Sequence, residues 1–112
     1  MQNYHNTRAC IYARVSATDQ VNNGVSVADQ IERGKQWCAQ NGAILVDTVM
    51  DAGASIADRR QLHEMIARAT GNGHPYDVIL VSSPSRLFRN AALFGQYGQT
   101  LGEANVAIVS VT

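Results

Sequence analysis

The sequence predicts an α/β fold of three layers, a mainly parallel four-stranded sheet with helices on both faces. Three observations predict it. Apolar, strand-like runs alternate with segments whose apolar residues recur at helical spacing. The connections between them are short, as in βαβ units, which favours right-handed crossovers. The run Ala43–Val49 is nearly all apolar, the pattern of a strand covered on both faces.

Met1 to Thr7 is polar and reads as a frayed end. Arg8 to Val15 is the first strand. The loop after it contains the turn-forming Asn22-Asn23-Gly24. Ser26, with Asp29 three residues on, resembles a capping box. Val27, Ile31, Gly34 and Cys38 then follow at helical spacing, with Trp37 beside that face, and Asn41-Gly42 is a helix stop. Ala43 to Val49 is the second strand and Met50 to Ala57 a loop. Asp58 can cap a helix that carries Leu62, Met65, Ile66 and Ala69 and ends at Gly71-Asn72-Gly73. Asp77 to Ser82 is the third strand, Ser83 to Arg89 a polar connection. A third helix carries Phe94, Tyr97 and Leu101 on one face. Val106 to Val111 is the fourth strand.

At 112 residues the chain is one domain, 1–112, without repeat, linker or low-complexity stretch. Apolar residues at 46% and charged residues at 16% suit a packed globule rather than a disordered chain. The formal net charge is zero, so no global basic field gathers nucleic acid, and DNA binding would need a local basic site or another domain. No run reaches membrane-span length and no signal-peptide pattern opens the chain. Cys10 and Cys38 have no metal-spaced partner and read as buried, reduced thiols, which points to the cytoplasm. His5, His63 and His74 fall in a tail, on a helix and in a loop, and read as surface residues. No Gly-rich phosphate loop with Lys-Ser/Thr is present, which argues against a P-loop nucleotide site.

The chemistry gathers at the carboxyl edge of the expected sheet. The stretch Ile11-Tyr12-Ala13-Arg14-Val15-Ser16 ends in an arginine two residues before a hydroxyl, with Gln20 beyond. Ser55 and Arg59 follow the second strand; Ser85, Arg86 and Arg89 follow the third. Open α/β sheets bind ligands in the crevice outside these strand ends. Several arginines without nearby carboxylates suit an anionic substrate, most simply phosphate. A strand that merely ends beside a surface arginine is the bland alternative. A receiver-like or nucleotide-binding signalling module on a doubly wound sheet is another. Receiver chemistry needs an acidic cluster where this chain has Arg14-Val15-Ser16.

These residues resemble the serine recombinases, the resolvase, invertase and large serine integrase group. Tyr12-Ala13-Arg14-Val15-Ser16 with Gln20 matches the opening motif Y-x-R-V-S-x-x-x-Q. Gly24, Ser26 and Gln30 match the spacing of the large integrase/transposase branch. Asp58-Arg59 with Leu62 matches D-R-x-x-L, and Asp77-Val78-Ile79-Leu80-Val81 followed by Ser85-Arg86-Leu87-Phe88-Arg89 matches the strand and the arginine pair after it. The resemblance covers nearly the whole chain.

It implies a site-specific DNA recombinase with a resolvase-like catalytic domain. Ser16 would be the nucleophile that forms a 5′-phosphoserine link to DNA, without metal or nucleotide cofactor. Arg14, Arg86 and Arg89 would bind the scissile phosphate, and Arg59 would assist. Gln20 and Gln30 would orient phosphate or neighbouring groups. Ser85 stands where the family usually has aspartate, which leaves a proton-transfer role there open; no histidine or carboxylate is an obvious base for Ser16. The family's long dimerisation helix and DNA-binding domains are not among these residues. The expectation is therefore an N-terminal catalytic fragment of a larger protein that self-associates into dimers and tetramers, the fragment alone being inactive. A catalytically dead regulatory fragment is the remaining alternative. Residue by residue, the bland reading makes Gln30 an ordinary solvated residue, Arg59 a surface residue near a helix start, and Arg89 a side chain that stacks on a helix or is solvated.

Overall fold

The computed structural model describes residues 4–15, 26–52, 60–71, 73–82 and 91–111. Among the described residues seven elements follow one another: β1 (Arg8–Val15), α1 (Val27–Asn41), β2 (Ile44–Ala52), α2 (Arg60–Thr70), β3 (Val78–Val81), α3 (Ala91–Glu103) and β4 (Ala107–Ser110). The strands form one sheet in the order β2-β1-β3-β4, and every pairing is parallel. From β1 the chain goes outward to β2, then crosses back over β1 to β3. The order therefore reverses between β1 and β3, which makes the carboxyl ends of those two strands the switch point of the sheet.

β1 is central because its side chains can be buried on both faces. Ala9 to Ala13 are at most 1% exposed. Successive residues of a strand point to opposite faces. Ala9 and Ile11 accordingly join Cys38, Val78 and Leu80, with Ile31 and Trp37 of α1 against them. Cys10 and Tyr12 join Leu62, Met65, Ile66 and Ala69 of α2 and Leu101 of α3. Helices thus cover both faces, and the chain has the expected three layers. Cys10 and Cys38 are buried free thiols. Burial pushes the Cys10 thiol up to about 12, so it is inert as a nucleophile at neutral pH.

α1 starts where its capping residue says it should. The Ser26 hydroxyl accepts from the Asp29 N–H at 3.1 Å. The helix ends at Gly42, whose φ of 68° is cheap only for a residue without Cβ. Gly34 has a different reason to be glycine. A Cβ there would lie 2.6 Å from Cδ1 and 2.7 Å from Cγ1 of the buried Ile11. Gly34→Ala should therefore destabilise the fold, although alanine gains about 1 kcal/mol of helix propensity. Overpacking of about 1–3 kcal/mol outweighs that gain. Thermal unfolding should show a lower Tm, and Ile11→Val in the same chain should restore part of the loss.

At the amino edge, Arg8 clamps the start of β3. Its Nε and Nη2 donate to Asp77 Oδ2 and Oδ1 at 3.1 and 3.0 Å, and its backbone N–H to Oδ2 at 2.9 Å. These donors hold the Asp77 carboxyl below its ordinary value.

Two expectations about the strands are corrected. β2 is not covered on both faces: it is an edge strand, with Ile44, Val46 and Met50 exposed by 50%, 46% and 53%. The register slips between Ala9↔Leu45 and Cys10↔Asp47, so Val46 is an extra residue. Beyond this bulge Asp47, Val49 and Asp51 turn inward and Thr48 and Met50 face outward. The strand also continues to Ala52, through residues expected to begin a loop. β4, the other edge, is half-exposed.

Candidate active site

The carboxyl end of β1 carries a buried cation. Arg14 is 3% exposed, and its position in the sheet is fixed from two sides. On one side it pairs in register with Asp51 of β2. On the other, Gln30 of α1 takes both of its backbone groups: Oε1 accepts from the Arg14 N–H at 3.1 Å, and Nε2 donates to the Arg14 carbonyl at 3.0 Å. The β1–β3 ladder pairs Ala9 to Ile11 with Val78 to Leu80, so Arg14 lies beyond it. The Gln30 amide substitutes for a strand there, offering one acceptor and one donor to a backbone that water cannot reach.

Gln30 itself is 5% exposed, which rules out the reading of an ordinary solvated residue. Its amide is committed to the Arg14 main chain. Gln30→Leu should leave two buried backbone groups unpaired at about 1–3 kcal/mol each. A loss of that size lowers Tm by roughly 10 °C or more in a domain this small. A melting curve that matches the parent would contradict this account of the clamp.

Asp51 is the second buried charge, 6% exposed. Its Oδ1 accepts from the Gln61 N–H at 3.0 Å; its Oδ2 accepts from the Leu62 N–H at 2.9 Å and from the Tyr12 hydroxyl at 2.8 Å. Gln61 and Leu62 lie in the first turn of α2, where backbone N–H groups lack intrahelical partners and the helix dipole favours an anion. The expectation of arginines without a carboxylate nearby is thus corrected: one stands beside Arg14 in the sheet. Ser82, 5% exposed, follows β3 at the same edge, its hydroxyl without a partner among the described residues.

Of the residues singled out in the sequence, Arg14 and Gln30 are described, and the structure brings them together. Ser16, Gln20, Arg59, Ser85, Arg86 and Arg89 lie outside the described residues, as do Ser55 and the expected helix cap Asp58. Ser16 is two residues past Arg14, and two residues span at most about 7 Å. Arg59 immediately precedes α2, and Ser85, Arg86 and Arg89 fall between Ser82 and α3. The segments that hold them follow directly on β1, β2 and β3, whose carboxyl ends share one edge because the strands are parallel.

Two residues of this edge carried no assigned role in the sequence. Tyr12 sits inside the motif, and Asp51 fell in an expected loop. Among the described residues no group of His, Cys, Asp and Glu could hold a metal ion. His63 lies on α2 near the Tyr97 hydroxyl, Nδ1 to oxygen 3.4 Å. His74 sits beside Asp77 at the amino edge.

A parallel sheet of this order, with a buried arginine at its switch point, defines an α/β domain of the resolvase-like class. The chain belongs to the family described as "Resolvase, N terminal domain", which it matches over residues 9–112. It is a catalytic domain of the serine recombinase type. Solved structures agree. A resolvase family site-specific recombinase from Streptococcus pneumoniae is 27% identical, with a TM-score of 0.78 over 94% of this chain and 72% of that one. The C-terminal catalytic domain of ISC1926 TnpA, an IS607-like serine recombinase, is 25% identical, with a TM-score of 0.76 over 93% and 70%. The N-terminal catalytic domain of TP901-1 integrase, at 24% identity, a TM-score of 0.76 and coverage of 93% and 76%, shares the fold. None of the curated proteins gives a match.

Proposed function

We propose that this domain cleaves and rejoins DNA at specific sites, with Ser16 as the nucleophile. The Ser16 oxygen attacks a phosphodiester phosphorus. The bond to the serine oxygen forms as the bond to the 3′ oxygen breaks; the serine proton is lost and the departing 3′ oxygen gains one. The product is a 5′-phosphoserine link and a free 3′-hydroxyl. The link conserves the bond, so a 3′-hydroxyl from another strand can reverse the step, and no nucleotide cofactor is needed.

The observation that carries this reading is the buried Arg14, held by Gln30 at the β1/β3 switch point two residues before Ser16. A buried guanidinium has five donors in a fixed fork, and a phosphate supplies the oxygens to match them. Arg86 and Arg89 complete the charge around the equatorial oxygens, Arg59 assists from the start of α2, and Gln20 orients the phosphate or its neighbours. Gln30 acts one step back, through the Arg14 main chain. Ser85 leaves the site without the family's usual acid, so the proton of the 3′ oxygen comes from elsewhere.

The 112 residues are the catalytic part of a larger, cytoplasmic recombinase that assembles into dimers and tetramers on DNA. Their zero net charge supports this, because sequence-independent affinity for DNA comes from cationic contacts that other parts of the protein must supply. The test is denaturing electrophoresis of the recombinase that carries this domain, with a suicide substrate labelled at either end. Protein on the 5′ end of the cut strand, with an extendable 3′-hydroxyl, is expected. Protein on the 3′ end would reject the reading.

A further inference from the structure

We infer that the Ser82 hydroxyl is a substrate contact: it donates a hydrogen bond to a non-bridging oxygen of the scissile phosphate, across from Arg14. The inference rests on the phosphate role proposed above for Arg14.

Ser82 follows β3, the strand next to β1, at the carboxyl edge of the sheet. It is 5% exposed, and its hydroxyl oxygen is buried without a hydrogen-bond partner among the described residues. A hydroxyl shut away from water in this way costs stability that alanine, the same side chain without the oxygen, would not. Buried polar side chains are nearly always partnered. One that lacks a partner in the free protein, at a ligand-binding edge, points to a partner that arrives with the ligand.

The place narrows that ligand. The β1–β3 ladder ends at Ile11↔Leu80, and the backbone of Arg14 bonds the Gln30 amide instead of β3. The two strands thus stop sharing hydrogen bonds where the sheet order reverses, which is where open α/β sheets take their ligands. Arg14 stands on one side of this gap and Ser82 on the other. Both are deep, 3% and 5% exposed, so an anion that reaches the guanidinium reaches the depth of the hydroxyl. Side chains alternate along each strand: Arg14 follows Cys10 and Tyr12 on the α2 side of the sheet, and Ser82 follows Val78 and Leu80 on the α1 side. The two side chains therefore bracket the gap from opposite faces. A tetrahedral phosphate offers acceptor oxygens in both directions, to a guanidinium that only donates and to a hydroxyl that can.

The test uses Ser82→Ala in the recombinase that carries this domain. Two quantities are read from one preparation, the melting temperature of the domain without DNA and single-turnover cleavage at saturating DNA. The variant should melt at or above the temperature of the parent, because it loses a buried group that had no partner. It should cleave about tenfold to a hundredfold more slowly, the worth of a hydrogen bond to a charged group. A lower melting temperature, or failure to fold, assigns the hydroxyl a partner inside the protein and overturns the inference; so does cleavage at the rate of the parent. The contacted atom is checked from the DNA side, with sulfur in place of either non-bridging oxygen of the scissile phosphate. One of the two diastereomers should slow the parent yet cost Ser82→Ala nothing further. Equal fold losses in both proteins for both diastereomers overturn the inference. Arg14→Ala separates the two possible failures. If it cleaves like the parent, the phosphate role of Arg14 falls and the inference falls with it. If it is crippled while Ser82→Ala cleaves like the parent, the inference alone falls.

Discussion

Ser16→Ala is expected to lower strand cleavage by roughly 10⁴-fold or more, the scale on which enzymes lose a covalent nucleophile. DNA affinity should stay close to that of the parent. On the proposed chemistry the two effects separate because the Ser16 oxygen enters the reaction only as the bond-forming atom, whereas affinity comes from phosphate and base contacts spread over the whole protein. The fold should be untouched as well. Residue 16 lies past the last residue of β1, and the buried face of that strand is made by Ala9 to Ala13. Gel shift and denaturing electrophoresis of one preparation read both quantities. A residual covalent adduct in the alanine variant would move the nucleophile to another residue.

Arg14→Ala should come next in size, with cleavage lower by about 10²–10³-fold, the usual cost of one donor facing developing charge in a water-poor site. Arg14→Lys tests the geometry rather than the charge. An ammonium is a compact, strongly hydrated point charge without the planar fork, so it should recover only part of the loss. Burial sharpens the difference, because at 3% exposure the side chain has little access to water and the more strongly hydrated cation costs more to place there. The Gln30 clamp binds the main chain of residue 14 and so survives either substitution. A changed rate then reports on the guanidinium. If Arg14→Lys cleaves as fast as the parent, bidentate recognition by Arg14 is wrong.

Much of this fold could be read from the chain. β1 runs from Arg8 to Val15 as its pattern predicts, α1 begins after Ser26 and stops at Gly42, and all four apolar positions expected to face the core from α2 are buried. These are local matters: a cap, a stop, a stripe at helical spacing. What escaped was non-local. The apolar run in β2 looks the same in a central strand as in an edge strand. Only the chain's return across β1 puts β2 at the rim, where Ile44, Val46 and Met50 stay half-exposed.

The site divides the same way. Arg14 and Ser16 stand out because a motif holds them side by side. Gln30 could have been placed more firmly. It falls on the line Val27, Gln30, Gly34, Cys38, a stripe at steps of three and four, and a polar residue on a buried stripe demands a partner. Asp51 left no such trace. It caps a helix ten residues away, so no spacing rule reaches it, and the nearer Asp58 draws the eye as the local cap. Tyr12 hid inside the motif as an apparent strand aromatic until its hydroxyl had a partner.

The central claim is that Ser16 forms the bond to DNA, and the most direct measurement identifies the bonded residue. The adduct trapped on a suicide substrate is digested with nuclease and protease, and the peptide that retains nucleotide is sequenced by tandem mass spectrometry. The account predicts a peptide spanning Val15-Ser16-Ala17 with a 5′-linked nucleotide phosphate on Ser16. A nucleotide on Ser26, Ser55, Ser85 or any other side chain, or a 3′-phosphate link, would contradict it.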